Sequence, residues 1–142
     1  MNVTASAFGG YSPEGILNNL SEPHMFNVTA TAWGGFGGRA HAVKNVDSSP
    51  TIVNLTAVAR GINSYGVENK QQSSPGSSPT IDASTIRGDF RSVSSTDADV
   101  PAMITGSVLE GTVGTFSGAE PVCSFSYNEL DVLLGSDCQP PP

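Results

Sequence analysis

The chain has 142 residues, of which 37% are hydrophobic and only 13% charged, and its formal net charge is −7. This length suits one domain with a single core, because two separate cores would each be small and marginal. Six Lys and Arg residues in total do not make the clustered positive field that nucleic-acid binding requires, and no apolar run approaches the roughly 18 residues that cross a bilayer. We therefore expect one globular domain that binds no nucleic acid and does not insert into a membrane.

A phrase near the start of the chain returns three times at nearly constant spacing. "NVTASAFGG" at 2–10 reappears as "NVTATAWGG" at 27–35, as "NLTAVARGI" at 54–62 and, more weakly, as "ASTIRGD" at 83–89, in steps of 25, 27 and 29 residues. Each of the first three copies is followed by a phrase that ends in Asn, and then by a Ser-rich turn that ends in Pro. The phrases are "EGILN" at 14–18, "HAVKN" at 41–45 and "YGVEN" at 65–69, and the turns are "SEP" at 21–23 and "SSP" at 48–50, 73–75 and 77–79. A fixed period of this kind indicates stacked structural repeats.

The repeat predicts a β-solenoid. Each unit holds two or three short strands of small and β-branched residues between Gly-Gly and Ser-Pro turns, with no helical period. Each strand then pairs in parallel with its equivalent one coil away. Leucine-rich repeats have a similar length, but their leucine ladder is missing, and a β-sandwich is the main structural alternative. We predict an all-β, right-handed parallel β-helix of four to five coils over residues 1–106.

Alternation along the first strand of each unit predicts which side chains face the core. Three columns should face inward: Val3, Val28, Leu55 and Ser84; Ala5, Ala30, Ala57 and Ile86; Ala7, Ala32 and Ala59. Three more should face outward: Thr4, Thr29, Thr56 and Thr85; Ser6, Thr31, Val58 and Arg87; Phe8, Trp33 and Arg60. Asparagines recur once per coil at two corners, at 2, 27 and 54 and at 18, 45 and 69, which favours ladders of side-chain amides there.

The period fades after about residue 90, and the remaining chain is expected to close the solenoid. Because an open last coil exposes unpaired backbone and an apolar cross-section, we predict a terminal coil and C-terminal cap over 107–139 and a flexible tail over 140–142. A disulfide between Cys123 and Cys138 would close a loop of about 15 residues and contribute around 3 kcal/mol; two free buried thiols are the alternative. Two cysteines without a nearby His do not indicate a metal site, and no cofactor is expected. No cap precedes the first repeat strand, so we expect earlier coils of a longer chain, or another chain, to cover that end.

In these motifs the sequence resembles the right-handed parallel β-helix proteins of the pectin-lyase-like superfamily, in particular bacterial surface or secreted proteins and phage tailspikes. The resemblance covers about residues 2–90 through "NVTATAWGG", "YGVEN" and "SSPTIVN", and "VCSFSYNELDVLLGSDC" at 122–138 is similar to the Cys-flanked segment that ends such chains. It implies a location outside the cell, on the cell surface or on a virion, and a homo-oligomer that is a trimer by similarity to tailspikes. The superfamily includes lyases, hydrolases and adhesins, so these motifs indicate a fold more than a chemistry.

A polysaccharide-degrading enzyme is the first functional hypothesis. β-Helix lyases and hydrolases need clustered carboxylates, or calcium with an Arg or Lys base, whereas the acidic residues of this chain are scattered. Asp97 and Asp99 would face one side of a strand and could bind a cation, but the polar run around them favours a solvated loop. His24 and His41 lie in different coils and are interpreted as turn or surface residues. We therefore assign no catalytic residue, and keep as an alternative that the chain is the C-terminal part of a lyase or hydrolase.

The outward side of the first strand is the candidate binding surface. Its residues are Thr4, Ser6, Phe8, Thr29, Thr31, Trp33, Thr56 and Arg60. An aromatic ring can stack on a sugar while hydroxyl groups and Arg bind its edge; contact between subunits and simple surface packing are the alternatives for these aromatics. Ice binding is a weaker hypothesis, because the Thr-x-Thr pattern is complete only at 29–31. The sequence thus predicts a non-catalytic structural or adhesive module of a surface, secreted or phage-derived fibre that binds glycans or its own copies.

Overall fold

A computed structural model describes residues 2–73 and 77–142 of the chain, except for the side chains at 97, 98, 116 and 117. The regular structure of these residues is β-strand. The strands are β1 Val3–Phe8, β2 Glu14–Asn19, β3 His24–Trp33, β4 Arg39–Val46, β5 Thr51–Arg60, β6 Asn63–Lys70, β7 Thr80–Asp82, β8 Thr85–Ala98, β9 Met103–Thr105, β10 Val108–Gly118, β11 Val122–Ser124 and β12 Tyr127–Asn128.

Three parallel faces enclose the core, and each coil contributes one strand segment to each face. Face A contains β1, the later parts of β3 and β5, the first parts of β8 and β10, and β12. Face B contains β2, β4, β6 and the later parts of β8 and β10. Face C contains the first parts of β3 and β5, then β7, β9 and β11. The long strands bend around a corner and so belong to two faces.

The register of face A is the one that the repeat predicts. Thr4 pairs with Thr29, Thr29 with Thr56, and Thr56 with Thr85. Equivalent residues of the repeat are therefore neighbours in adjacent rungs, about 4.8 Å apart. Because the strands of successive coils pair in parallel, the β-sandwich alternative is wrong. The prediction of an all-β parallel β-solenoid is confirmed, with about four turns.

Stacks of small and branched side chains fill the interior. Two of them, in rung order, are Ala30, Ala57, Ile86 and Leu109 on face A, and Ile52, Ile81, Ile104 and Cys123 on face C. Each large side chain buried in this way contributes about 1.5–3 kcal/mol. At the first rung the inward positions are only half-buried, as at Ala5 and Ala7, or exposed, as at Val3, because a neighbouring rung lies on one side only.

The corner between faces C and A is built alike in every coil. One residue there has a positive φ: Asn27 (53°), Asn54 (57°), Ala83 (46°), Gly106 (56°) or Phe125 (50°). A left-handed residue turns the chain within a single position, and Asn tolerates this conformation better than most residues. At the last three of these corners a serine follows that residue and accepts a backbone N–H of the preceding rung. Leu55 N–H donates to Ser84 Oγ and Ser84 N–H to Ser107 Oγ, both at 3.1 Å, and Ser107 N–H donates to Ser126 Oγ at 3.4 Å. These bonds satisfy backbone groups that the corner would otherwise bury unpaired.

The corner between faces B and C varies in length. It spans 20–23 after β2, 47–50 after β4 and 71–79 after β6. Thr80 N–H donates to Pro50 O at 3.0 Å, and Ser78 N–H donates to Ser49 Oγ at 3.1 Å. The second of the two adjacent "SSP" copies, at 77–79, is therefore equivalent to 48–50. The additional residues lie before it and do not shift the register of the faces.

The chain after β12 folds back over the last coil. Leu134 and Cys138 join the hydrophobic core, and Leu134 N–H donates to Ser126 O at 2.8 Å. A disulfide joins Cys123 to Cys138, and both residues are buried. Of the two alternatives, a disulfide and two free buried thiols, the structure has the disulfide.

Candidate binding face

The eight residues proposed from the sequence lie together on the outer side of face A. They occupy the first three rungs: Thr4, Ser6 and Phe8; Thr29, Thr31 and Trp33; Thr56 and Arg60. Each residue is 25 or 27 positions away in sequence from its neighbour in the next rung, and the pairing of the strands brings the two together. The outer side of face A is thus a continuous surface with a polar end and an aromatic end.

The aromatic end is formed by Phe8, Trp33 and Arg60. Phe8 is 68% exposed and Trp33 is 52% exposed. Their ring centroids lie 6.4 Å apart at a tilt of 40°, and the guanidinium carbon of Arg60 lies 5.3 Å from the centre of the Trp33 ring. With Thr31, Ala32 and Val58 these side chains line a groove of about 290 Å³.

The polar end carries Asn and Thr side chains in register. Asn2, Asn27 and Asn54 and the threonines beside them, Thr4, Thr29 and Thr56, line a trough of about 470 Å³. Asn54 Nδ2 donates to Asn27 Oδ1 at 2.7 Å, and between the two ends Thr31 Oγ1 donates to Ser6 Oγ at 2.9 Å. These bonds are exposed, so the amides and hydroxyls remain accessible to a ligand.

The two arginines of this face differ in their electrostatic surroundings. Arg87 lies 3.7 Å from a carboxylate oxygen of Asp89 and 3.5 Å from one of Glu110. Among the described residues, no carboxylate pairs with Arg60, whose guanidinium lies over Trp33 instead. Arg60 is thus the cation of the aromatic end that remains open to an external acceptor.

A second cluster lies on the outer side of face B and was missed in the sequence. His41 Nε2 lies 3.1 Å from Glu68 Oε2, and the His41 ring stacks on Tyr65 with centroids 5.2 Å apart. Phe90 packs its edge against Tyr65 at 5.6 Å. His41 and Tyr65 are only 2% and 1% exposed, so the interpretation of His41 as a turn or surface residue is wrong. The alignment of "HAVKN" with "YGVEN" places His41 and Tyr65 at the same position, four residues before the recurring Asn and therefore beside each other in adjacent rungs. This is the signal that could have found the cluster.

Burial and charge act in opposite directions on Glu68. Burial by itself raises the pKa of this carboxyl, but the contact with His41 and the charges of Lys44 and Lys70 outweigh it and hold the pKa below its ordinary value. Burial raises the pKa of the Tyr65 hydroxyl above its ordinary value. The residues are closed to solvent, so the arrangement stabilises the fold and offers a substrate no open catalytic group in this conformation.

The remaining candidates lie apart from both clusters. Asp99 Oδ2 accepts a hydrogen bond from Gln71 Nε2 at 2.8 Å, and the side chain of Asp97 lies outside the described residues. His24 is exposed at the start of β3. Within the described ranges, no three His, Cys, Asp or Glu side chains are grouped to hold a metal ion, and no helix is long and apolar enough to span a membrane.

No protein-family model, curated protein or solved structure matches this chain. What is established is therefore the fold class, a parallel β-solenoid, and the geometry of its faces.

Proposed function

We propose that the chain is a non-catalytic β-solenoid module that binds glycans through the outer side of face A. The observation that carries the proposal is the exposed pair of Phe8 and Trp33 beside Arg60, bordered by the exposed hydroxyl pair of Ser6 and Thr31. Exposed aromatic rings on a rigid sheet are costly to leave in water and suit a ligand with one apolar side and a polar edge. A sugar ring has this character.

The geometry limits where a sugar can lie. Arg60 covers one side of the Trp33 ring and Phe8 leans toward the other. These neighbours in the adjacent rungs therefore partly cover both sides of the Trp33 ring. The outer side of Phe8 and the exposed part of Trp33 are free. A sugar there places its hydroxyls within reach of Thr31 and Ser6, and any acidic group within reach of Arg60.

The finer assignment follows from the resemblance stated above. Similarity to the pectin-lyase-like β-helix proteins, tailspikes among them, favours a homo-oligomeric surface, secreted or virion-borne fibre. The disulfide between Cys123 and Cys138 supports an oxidising compartment.

The test is a titration of the intrinsic fluorescence of Trp33, the one tryptophan of the chain, with a panel of glycans, followed by calorimetry on those that respond. We expect saturable binding that is lost in Phe8→Ala and Arg60→Ala and kept in Phe125→Ala. The last is a matched variant that removes an exposed aromatic at the corner before β12, in the last rung and away from the aromatic end of face A. An absence of binding to every glycan by both methods contradicts the proposal. Assay of the same mixtures for new reducing ends tests the alternative that the chain belongs to a lyase or hydrolase.

A further inference from the structure

A second exposed apolar surface runs along the corner between faces A and B. Each of four successive rungs places one large apolar side chain there: Tyr11 (78% exposed), Phe36 (fully exposed), Ile62 (71%) and Phe90 (37%). We call these four residues the corner ridge. They fall in different repeat phrases, and none was singled out in the sequence.

Backbone contacts hold the corner loops side by side. Gly35 N–H donates to Gly10 O at 3.4 Å, and Arg39 N–H donates to Tyr11 O at 2.8 Å. In the next rung a Cβ at Gly61 would lie 3.6 Å from Gly34. The ridge is therefore a line of neighbours about 14 Å long, at roughly 4.8 Å per rung.

The glycines beside the ridge leave notches between its side chains. At Gly9, Gly10 and Gly37 a Cβ would meet no atom within 4 Å. Side chains that project next to open glycine backbone form a surface that can fit a copy of itself, with the projections of one copy in the notches of the other. Such self-complementarity is what a two-fold contact between identical chains requires.

The charges along the corner ridge also favour a second copy of this chain as the partner. Arg39 is exposed in the second rung. Asp89 is exposed in the fourth, where it also lies 3.7 Å from Arg87 and accepts from Gly61 N–H. In an antiparallel pair whose two-fold axis passes near Ile62, the second rung of one copy faces the fourth rung of the other. Phe36 then lies against Phe90 of the second copy, and Arg39 lies near Asp89 of the second copy.

The area is adequate for a specific contact. With about 150–250 Å² for each large side chain, the exposed parts of the ridge amount to roughly 500 Å² per copy. Arg39 and the glycine backbone add to this, toward the ~800 Å² per partner of a standard interface. We propose that the corner ridge joins two copies of this chain in an antiparallel, two-fold pair, a role separate from glycan binding on face A.

Sedimentation velocity over a range of protein concentrations tests the pairing. We expect the wild type to form a dimer, and the variant Phe36→Ser/Ile62→Ser to be monomeric, with the dissociation constant raised at least ~100-fold. Since these side chains are almost fully solvent-exposed, their loss leaves the fold intact, which circular dichroism verifies. Leu17→Ser/Leu130→Ser removes two exposed leucines elsewhere and should leave the dimer unchanged.

A charge exchange tests the antiparallel arrangement. Arg39→Asp and Asp89→Arg should each weaken the dimer, and the double variant should recover most of the affinity. A wild type that stays monomeric, a trimer, or a dimer that survives Phe36→Ser/Ile62→Ser overturns the proposal. A monomer that instead floats with phosphatidylcholine vesicles assigns the ridge to lipid and overturns it as well. Titration of Phe36→Ser/Ile62→Ser with glycans tests the glycan proposal independently of the dimer, because Phe8, Trp33 and Arg60 are unaltered in this variant.

Discussion

The outer sides of faces A and B are both built by in-register pairing of successive rungs, but the aromatic column of face A is exposed and that of face B is buried. On face A the rung-to-rung column of Phe8, Trp33 and Arg60 stands in solvent, whereas on face B the column that contains His41 and Tyr65 is closed to it. The difference comes from the neighbours. Tyr65 packs against both His41 and Phe90, and His41 contacts Glu68. Beside the aromatics of face A lie the small hydroxyl residues Ser6 and Thr31. A solenoid can thus use one outer face as additional core and leave another free to bind.

The largest effect is expected on the closed face. Tyr65→Ala removes a fully buried ring that is stacked on His41 and should lower the free energy of unfolding by about 3–5 kcal/mol. Urea denaturation measures this loss. Tyr65→Phe, which keeps the ring, is the control and should lose far less. If Tyr65→Ala lowers the free energy of unfolding by no more than Tyr65→Phe does, the outer side of face B is not a second core.

The next effect tests the ion pair within that face. Glu68→Gln should reduce the free energy of unfolding by about 1–3 kcal/mol at neutral pH, since it removes a buried charge that lies 3.1 Å from His41 and is stabilised by Lys44 and Lys70. The pKa of Glu68 is held below its ordinary value of 4.5, so the carboxylate contributes stability above that value, and the contribution disappears as the pH falls through the folded-state pKa. Urea denaturation of both proteins at decreasing pH should therefore show their difference shrinking below 4.5. A difference that grows on acidification contradicts this assignment.

On the open face the same type of truncation should cost little. Trp33→Ala is expected to lower the free energy of unfolding by about 1 kcal/mol or less, because half of the ring is already in solvent, while it abolishes glycan binding measured by calorimetry. The contrast with Tyr65→Ala is the sharpest measure of how the two faces differ. A large loss of stability in Trp33→Ala would place this ring among the structural residues.

The smallest effect concerns a hydroxyl on the open face. Thr31→Ala removes the donor to Ser6 Oγ in an exposed hydrogen bond and should change the free energy of unfolding by about 0.5 kcal/mol or less. Glycan affinity should fall several-fold, as calorimetry can show, if Thr31 binds the edge of a sugar. Thr85→Ala, which alters the same face outside the aromatic groove, is the matched control and should retain affinity.

The register of face A could be predicted because its residues repeat. The pairing of Thr4 with Thr29 and Thr56 needed only the assumption that equal phrases stack, and alternation then fixed Ala30 and Ala57 inside. Face B was harder because its three phrases share only the final Asn. The residues that matter there, such as His41 and Glu68, differ from rung to rung, and their contact depends on side chains that reach across rungs.

The corner ridge shows a different reason why sequence patterns can miss a surface. Phe36 and Ile62 occupy loops of unequal length, so they do not fall at equal positions in the repeat. Only the stacking of the loops brings them into one line. Gly-rich turns are read from the sequence as punctuation, and the apolar residue between the glycines is then easily taken as incidental.

The corner between faces B and C has a practical consequence for protein engineering. The bend at 71–79 has nine residues and that at 20–23 has four, yet β7 still pairs with β5 and β8 with β6. The register of the faces is therefore compatible with a longer connection at this corner. A foreign peptide inserted there would be displayed at the edge of a rigid rod, and its distance from the aromatic face could be chosen simply by choosing the coil.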